Sequence, residues 1–243
     1  MLTAFSQPVV HSLIDLVWPK SCEICGAPPG VFGKYLCWDC LSALPLIQPP
    51  FCSLCGDPVN GAITRDYICS LCVDRKPAFD QARSALRFQG GIKDVLHRFK
   101  YSDATHMASD LAGLLHACVN THYAREPFDA VSFVPLHAVK ERSRTYNQAR
   151  LLAGNLAGLM NLPLAGGCLS RIRETGTQTR LNMMARSKNV ANAFNADCPE
   201  WIEGRHFLLV DDVMTTGATV SAVSRELKDA GAARVCVVTV ARG

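Results

Sequence analysis

The chain lacks most of what would carry it into or across a membrane. Its N-terminus, MLTAFSQPVVHSLIDLVWPK, has neither a basic leading segment nor a small-residue cleavage site, and His11 and Asp15 interrupt its apolar run. It does not read as a secretory signal. The longest stretch free of charge, residues 151–170, is broken by Asn155, Asn161, Pro163 and the Gly166-Gly167 pair, which argues against a spanning helix. G-x-x-x-x-G-K-[ST] and G-x-G-x-x-G are both absent, and with them P-loop and dinucleotide chemistry. Acidic side chains are scarce in one region: residues 140–188 hold nine Lys/Arg against Glu141 and Glu174 only. That surplus suits a polyanionic ligand, either several phosphates or a nucleic-acid backbone, or else a solvated basic face. Taken whole, 243 residues with 49% hydrophobic and 19% charged side chains and a net charge of +4 are ordinary globular composition.

Cysteine is what the sequence has in excess, twelve in all, with eight inside residues 22–72. They form four C-x-x-C pairs: Cys22/Cys25, Cys37/Cys40, Cys52/Cys55 and Cys69/Cys72. Each pair aims two thiolates at one point, and two pairs complete a tetrahedral zinc site. The pattern repeats, since C-E-I-C-G-A-P returns as C-S-L-C-G-D-P thirty residues on. Only the first pair of each repeat is followed by glycine, Gly26 and Gly56, where a tight turn tolerates positive φ. This favours sequential pairing, with Cys22, Cys25, Cys37 and Cys40 on one ion and Cys52, Cys55, Cys69 and Cys72 on the other. Two closed structural zinc sites are expected, each contributing on the order of 10–16 kcal/mol to a segment poor in large apolar residues. With neither a secretory signal nor a membrane span read from the sequence, a reducing, cytoplasmic setting is expected, where clustered cysteines more often bind metal than form disulfides. The other four, Cys118, Cys168, Cys198 and Cys236, read as small buried hydrophobes.

Residues 77–80 read as a boundary, giving an N-terminal helix with a double zinc ribbon over 1–78 and a second domain over 79–243. In the latter, alternation near residues 82–88 is followed by a helical run at 92–101. A short buried strand is expected at 128–135, and a helix at 147–160 with Leu151, Leu152, Leu156 and Leu159 on one side. Residues 171–195 are polar and aperiodic, a long loop. The C-terminal third is clearer. Residues 207–210 make a buried strand, 211–219 a polar turn, 218–230 a helix with Val220, Val223, Leu227 and Ala230 on one face, and 235–240 another buried strand. Strand–turn–helix–strand of this length is a βαβ unit, so the fold class is α/β with a parallel sheet covered by helices.

The turn reads Asp211-Asp212-Val213-Met214-Thr215-Thr216-Gly217-Ala218-Thr219. It leaves the carboxyl end of a parallel strand, where open α/β sheets bind ligands, and enters a helix N-terminus, which favours a phosphate. Three threonines supply hydroxyls, and Gly217 allows close backbone approach. Two adjacent carboxylates beside a phosphate cradle suit the vicinal hydroxyls of a phosphorylated ribose. A plain capped helix accounts for the threonines but not for the acids.

V-D-D-V-x-T-T-G-A-T resembles the phosphoribosyl-pyrophosphate (PRPP) signature of type I phosphoribosyltransferases. The rest of the chain is similar to the ComF family, competence-associated proteins with an amino-terminal zinc ribbon. The match runs through Lys100-Tyr101, Val134-Pro135-Leu136-His137, Arg144-Thr145-Tyr146-Asn147-Gln148-Ala149, residues 171–175 with Gln178, and Arg186 through Asn189 to Phe194. Thr145 departs from it, standing where the family usually has glycine, and a local backbone change is expected there.

The resemblance implies a type I phosphoribosyltransferase fold, with Asp211 and Asp212 on the ribose hydroxyls and residues 215–219 on the 5′-phosphate. It places the loop after residues 131–135 near the pyrophosphate and Mg²⁺ with PRPP. Lys100, Arg144, Arg171 and Arg173 become partners for pyrophosphate or acceptor, each with a surface role as the alternative. His137 is either a ligand contact or structural. No general base for an acceptor stands out. Two functions follow: a transferase with an unknown acceptor, or a PRPP sensor that serves DNA uptake. Both leave the competence machinery, and weak binding of single-stranded DNA through residues 140–188, as partners.

Overall fold

The computed structural model describes residues 21–28, 35–59, 61, 66–174 and 192–243. The expected N-terminal helix lies outside the described residues, as do Gln178, Arg180, Arg186 and Asn189 of the polar loop. The chain divides into two compact units, Met1–Leu44 and Pro45–Gly243.

In the first unit the Cys22–Cys25 knuckle turns at Gly26, φ +75°, and leads to a short helix, α1 (Trp38–Ser42). Cys37 caps that helix, its sulfur accepting from the Cys40 N–H at 3.4 Å. One residue thus serves as both metal ligand and N-cap.

The second unit begins with the second cysteine repeat, which ends in α2 (Ser70–Arg75). Then follow β1 (Gln81–Arg87), α3 (Gly91–Tyr101), α4 (Ala108–His122), β2 (Ala130–Phe133), α5 (Ala138–Arg144) and α6 (Gln148–Met160). β3 (Leu169–Arg171), β4 (Phe194–Ala196), α7 (Pro199–Ile202), β5 (His206–Met214), α8 (Ala218–Asp229) and β6 (Arg234–Arg242) complete it. Four strands form one sheet in the order β1-β6-β5-β2, parallel throughout. β5 and β6 are its inner strands, and their near-continuous Val/Leu runs are buried along almost the whole length. That is the pattern of strands covered on both faces. α4 and α6 pack on each other and on the sheet, while α8 lies against β5 and β6.

The βαβ unit agrees with its sequence pattern. α8 buries Val220, Val223 and Leu227, and Gly231 ends it at φ +91°. The strand before it runs further than expected. β5 continues through Met214, because Val213 pairs with Ala241 and Met214 with Arg242. Asp211 and Asp212 therefore stand on the strand, and the turn starts at Thr215. In α6, capped by Asn147 through the Arg150 N–H at 3.3 Å, the buried face is Leu152 and Leu156 with Ala149, Ala153 and Ala157. Full burial of such a leucine contributes about 1.5–3 kcal/mol. Leu159, expected on that face, is 52% exposed; the small alanines turn toward the sheet and rotate it outward.

Candidate functional site

The sulfurs of Cys22, Cys25, Cys37 and Cys40 all lie within 4.8 Å of one another, as do those of Cys52, Cys55, Cys69 and Cys72. A tetrahedron with zinc–sulfur bonds of about 2.3 Å has edges of about 3.8 Å. Cys25–Cys37, Cys55–Cys69 and Cys52–Cys72 are separated by 3.6, 3.7 and 3.9 Å. The donors thus fit two zinc ions, and the cysteines pair sequentially.

The backbone repeats with them. Gly26 and Gly56 each donate to the first cysteine carbonyl of their knuckle, both at 2.8 Å. Cys22 donates to Ala27 at 2.7 Å and Cys52 to Asp57 at 2.8 Å. Glu23 and Ser53 donate across to Tyr35 and Tyr67, at 2.9 and 2.7 Å.

The second repeat is also bonded to the sheet. Ala82 of β1 donates its N–H to Leu54 at 2.8 Å. Arg83, 7% exposed, gives Nη2 to the Ser53 carbonyl at 3.0 Å and lies 4.7 Å over the Phe51 ring. From β6, Arg242 gives Nε to Asp57 at 3.0 Å and Nη2 to the Cys55 sulfur at 3.7 Å.

At the carboxyl end of β5 the carboxylates turn back on the chain. Asp211 accepts from the Asp212 N–H at 2.9 Å, and Asp212 from the Val213 N–H at 2.7 Å. Residues 213–220 line a small crevice with Asp211. Gly217 takes φ +73° and hands the chain to α8, whose first turn carries no acidic residue. The first N–H groups of a helix have no partner within it, so this wall of the crevice is a ready acceptor of a phosphate.

Lys100, at the end of α3, pairs with Asp212 at 3.0 Å. Burial works against its charge, but Asp212 and then Asp211 outweigh burial and raise the ammonium above its ordinary value. Asp211 is different. Burial, reinforced by the Asp212 carboxylate, pushes it up to about 7, although Lys100 and Arg171 pull the other way.

The segment 144–148 holds Lys100 in place. Tyr146 donates its hydroxyl to the Phe99 carbonyl, Gln148 its amide to the Lys100 carbonyl at 3.2 Å, and Asn147 its amide to Val134 at 3.1 Å. Arg144 bonds Gln148 at 3.2 Å and the Tyr101 hydroxyl at 3.0 Å, its guanidinium 4.8 Å above the Tyr101 ring. Thr145 does adopt an unusual backbone, φ +65°, with its hydroxyl on Asp103 at 3.0 Å. This left-handed conformation is one that glycine takes freely.

Arg171, the last residue of β3, lies 5.3 Å over Phe194, its partner at the first position of the antiparallel strand β4. Burial lowers its pKa and the Asp211 carboxylate partly restores it. Lys140 is held down by burial and then by Arg171 and Arg144. Lys100 and Arg171 thus act on the two carboxylates directly, with Arg144 close enough to Lys100, and Lys140 to Arg171 and Arg144, for their charges to be felt. Arg173 is exposed, and His137 caps α5 through the Val139 N–H at 3.4 Å. Lys140 was not singled out from the sequence, where it is one of nine cations in the basic stretch. Tyr101 was quoted only beside Lys100, and nothing local marks it as the Arg144 platform.

Residues 13–74 match the double zinc ribbon domain family, and residues 148–243 the phosphoribosyl transferase domain family. Competence protein F of Haemophilus influenzae is 30% identical over 198 residues, 79% of this chain and 85% of that protein. DNA utilization protein YhgH of Escherichia coli K12 is 29% identical over 228 residues, 91% and 96% of the two chains. Competence protein ComFC of Bacillus subtilis is 28% identical over 233 residues, 94% and 87%. A double zinc ribbon followed by a phosphoribosyltransferase domain, with such identity along most of both chains, places this protein in the ComF family.

Proposed function

We propose that this chain binds PRPP with Mg²⁺ at the carboxyl end of β5 and transfers its phosphoribosyl group in the service of DNA uptake or utilisation in the cytoplasm. The observation that carries the reading is the adjacency of Asp211-Asp212 and the Thr215–Thr219 turn at one strand end, with Lys100 and Arg171 beside the carboxylates. The turn and the first N–H groups of α8 receive the 5′-phosphate, and Asp211 and Asp212 accept from the ribose hydroxyls. Arg144, Lys140 and Arg171 face the charge of the pyrophosphate, and Lys100 orients Asp212. Hard carboxylate oxygens suit Mg²⁺, which supplies neutralisation of the departing pyrophosphate. The positive charge that develops on the ribose ring as pyrophosphate leaves is stabilised by the same carboxylates. The DNA role rests on the names of the relatives.

A second reading keeps PRPP binding without transfer, as a sensor. It is favoured by the surroundings of Asp211, which among the described residues are cationic and offer no second carboxylate base beyond Asp212. Calorimetry with PRPP and Mg²⁺ tests the shared part. Asp211→Asn with Asp212→Asn is expected to weaken binding at least tenfold with the thermal transition retained, and unchanged affinity refutes the site. Pyrophosphate release, measured with nucleobases, amines and single-stranded DNA as acceptors, separates transferase from sensor.

A further inference from the structure

A second cleft lies behind the phosphate turn, away from Asp211. Arg75 of α2, Arg225 of α8 and Arg242 of β6 line it together with Thr216 and Gly217 of the turn, and Cys55 and Cys72 of the second tetrad also form part of its wall. Its volume of about 100 Å³ is several times the 10–15 Å³ or so that one water needs, so it has room for a tetrahedral oxyanion. Three cations on one cleft need an account.

Arg242 gives the first part of it. The residue is 6% exposed, with Nε on Asp57 and Nη2 on the Cys55 sulfur. Its Nη1 is buried with no hydrogen-bond partner, so the guanidinium keeps charge that Asp57 and the Cys55 sulfur do not fully engage, and the residue lines the cleft. Arg75 and Arg225 supply the second part. Among the described residues no carboxylate pairs with either, and Arg225 is exposed. The third part is the start of α8, a twelve-residue helix whose first turn carries no acid.

We propose that this cleft is a second phosphoryl-anion site, on the opposite side of the Thr215–Thr219 turn from Asp211 and sharing Thr216 and Gly217 with the first. The occupant is a tetrahedral phosphoryl group, carried free or on a polynucleotide strand. Arg242 supplies positive charge from the floor of the cleft, and Arg75 and Arg225 close over the anion from the ribbon and from α8. The competing account is that the three arginines only balance the thiolates of the second tetrad and Asp57.

The two accounts separate in a phosphate concentration series on the zinc-loaded full chain, followed by ¹H–¹⁵N spectra. The Arg242 Nε–H and the Leu71 and Arg75 amides report the proposed site. The Val213, Thr219 and Val220 amides report the site in front of the turn. The expected result is saturable movement of the first set, weakened at least tenfold in Arg75→Gln/Arg225→Gln, while the second set responds as in the parent. Two zinc ions retained per chain establish that the variant keeps its ribbons. If the Arg242 signal stays still while the second set moves, or moves equally in the double variant, the proposal is overturned and the arginines serve the thiolates alone. Movement of the first set without the second supports this proposal, and the PRPP reading is then judged by the calorimetry above. A thymidine oligonucleotide that displaces phosphate at a tenfold lower phosphoryl concentration assigns a strand as the source, and an ineffective one assigns a free phosphoryl group.

Discussion

The two cysteine repeats have the same backbone and opposite surroundings. Among the described residues an added Cβ at Gly26 meets nothing within 4 Å, whereas at Gly56 it stands 2.7 Å from the Ala82 carbonyl oxygen. Cys25 is exposed and Cys55 is buried. The residue that follows the glycine is Ala27 in one repeat and Asp57 in the other, and Asp57 alone holds an arginine of the sheet. The metal-binding pattern accounts for the shared hydrogen bonds and says nothing of the rest. One repeat folds in the first unit. The other is a wall of the sheet domain.

The largest effect expected from this difference comes from the ligands themselves. Metal analysis should find two zinc ions per chain, and Cys22→Ser and Cys52→Ser should each lose one. Calorimetric scanning should then part them. Cys52→Ser should lower the main unfolding transition by roughly 10 °C or more, taking about 2–4 °C per kcal/mol for a domain of this size, and Cys22→Ser by only a few degrees. Equal losses would mean that the second repeat is no more integrated than the first.

Next come the glycines. Both sit at positive φ, which costs an L-residue about 1–2 kcal/mol, so Gly26→Ala should stop there. Gly56→Ala adds a clash with backbone that cannot swing aside, and about 3 kcal/mol or more in denaturant unfolding is expected, in line with backbone strain plus overpacking.

A smaller contrast separates Asp211 from Asp212, neighbours on one strand in unlike surroundings. Asp211 is lifted to about 7 chiefly by burial, so below that pH it holds a proton that a ligand seeking its carboxylate must displace. PRPP affinity should therefore rise between pH 6 and pH 8, by up to about tenfold per unit on the acid side. The phosphate's own ionisation near pH 6 runs in the same direction, so the comparison is with Asp211→Asn, where the steeper part should vanish. The same lift has a stability sign. A carboxyl that binds its proton more tightly when folded contributes less as pH rises from about 4 toward 7, so the ligand-free Asp211→Asn variant should gain on the parent across that window.

The smallest effect expected is at Asp57, whose side chain is 41% exposed. Asp57→Ala, which makes the second knuckle copy the first, should cost about 1 kcal/mol or less, since a half-exposed pair is screened by water. The converse change, Ala27→Asp, should leave unfolding unmoved.

What the sequence made legible was local. The cysteine pairing, the two glycine turns and the β5–α8–β6 unit each declare themselves within about thirty residues, through spacing or periodicity. The site was legible where the motif is contiguous, at Asp211 through Thr219. Its supports were hidden because they come from far away: Lys100 meets Asp212 and Arg242 meets Asp57, pairings that no periodicity records. α4 went unread because ASDLAGLLHACVNTH mixes small and polar residues around its buried Leu111 and Leu115. The β3–β4 hairpin has three residues in each arm with twenty-two between them, too little pattern for a strand and too long a gap for a turn.

The strand order carries a consequence for how the molecule comes into being. β6 leaves the ribosome after both β1 and β5, yet it lies between them. The first cysteine tetrad spans residues 22–40 and closes from neighbours in the chain, so it can mature while synthesis continues. The sheet cannot: its inner contacts join residues such as Gln81 and Cys236, and closing so long a loop is slow. During translation β1 and β5 wait with an open seam between them, a period of exposure in which aggregation competes with folding. A nascent chain halted before Arg234 should hold zinc and resist chelation at its first tetrad, while its sheet strands remain open to protease.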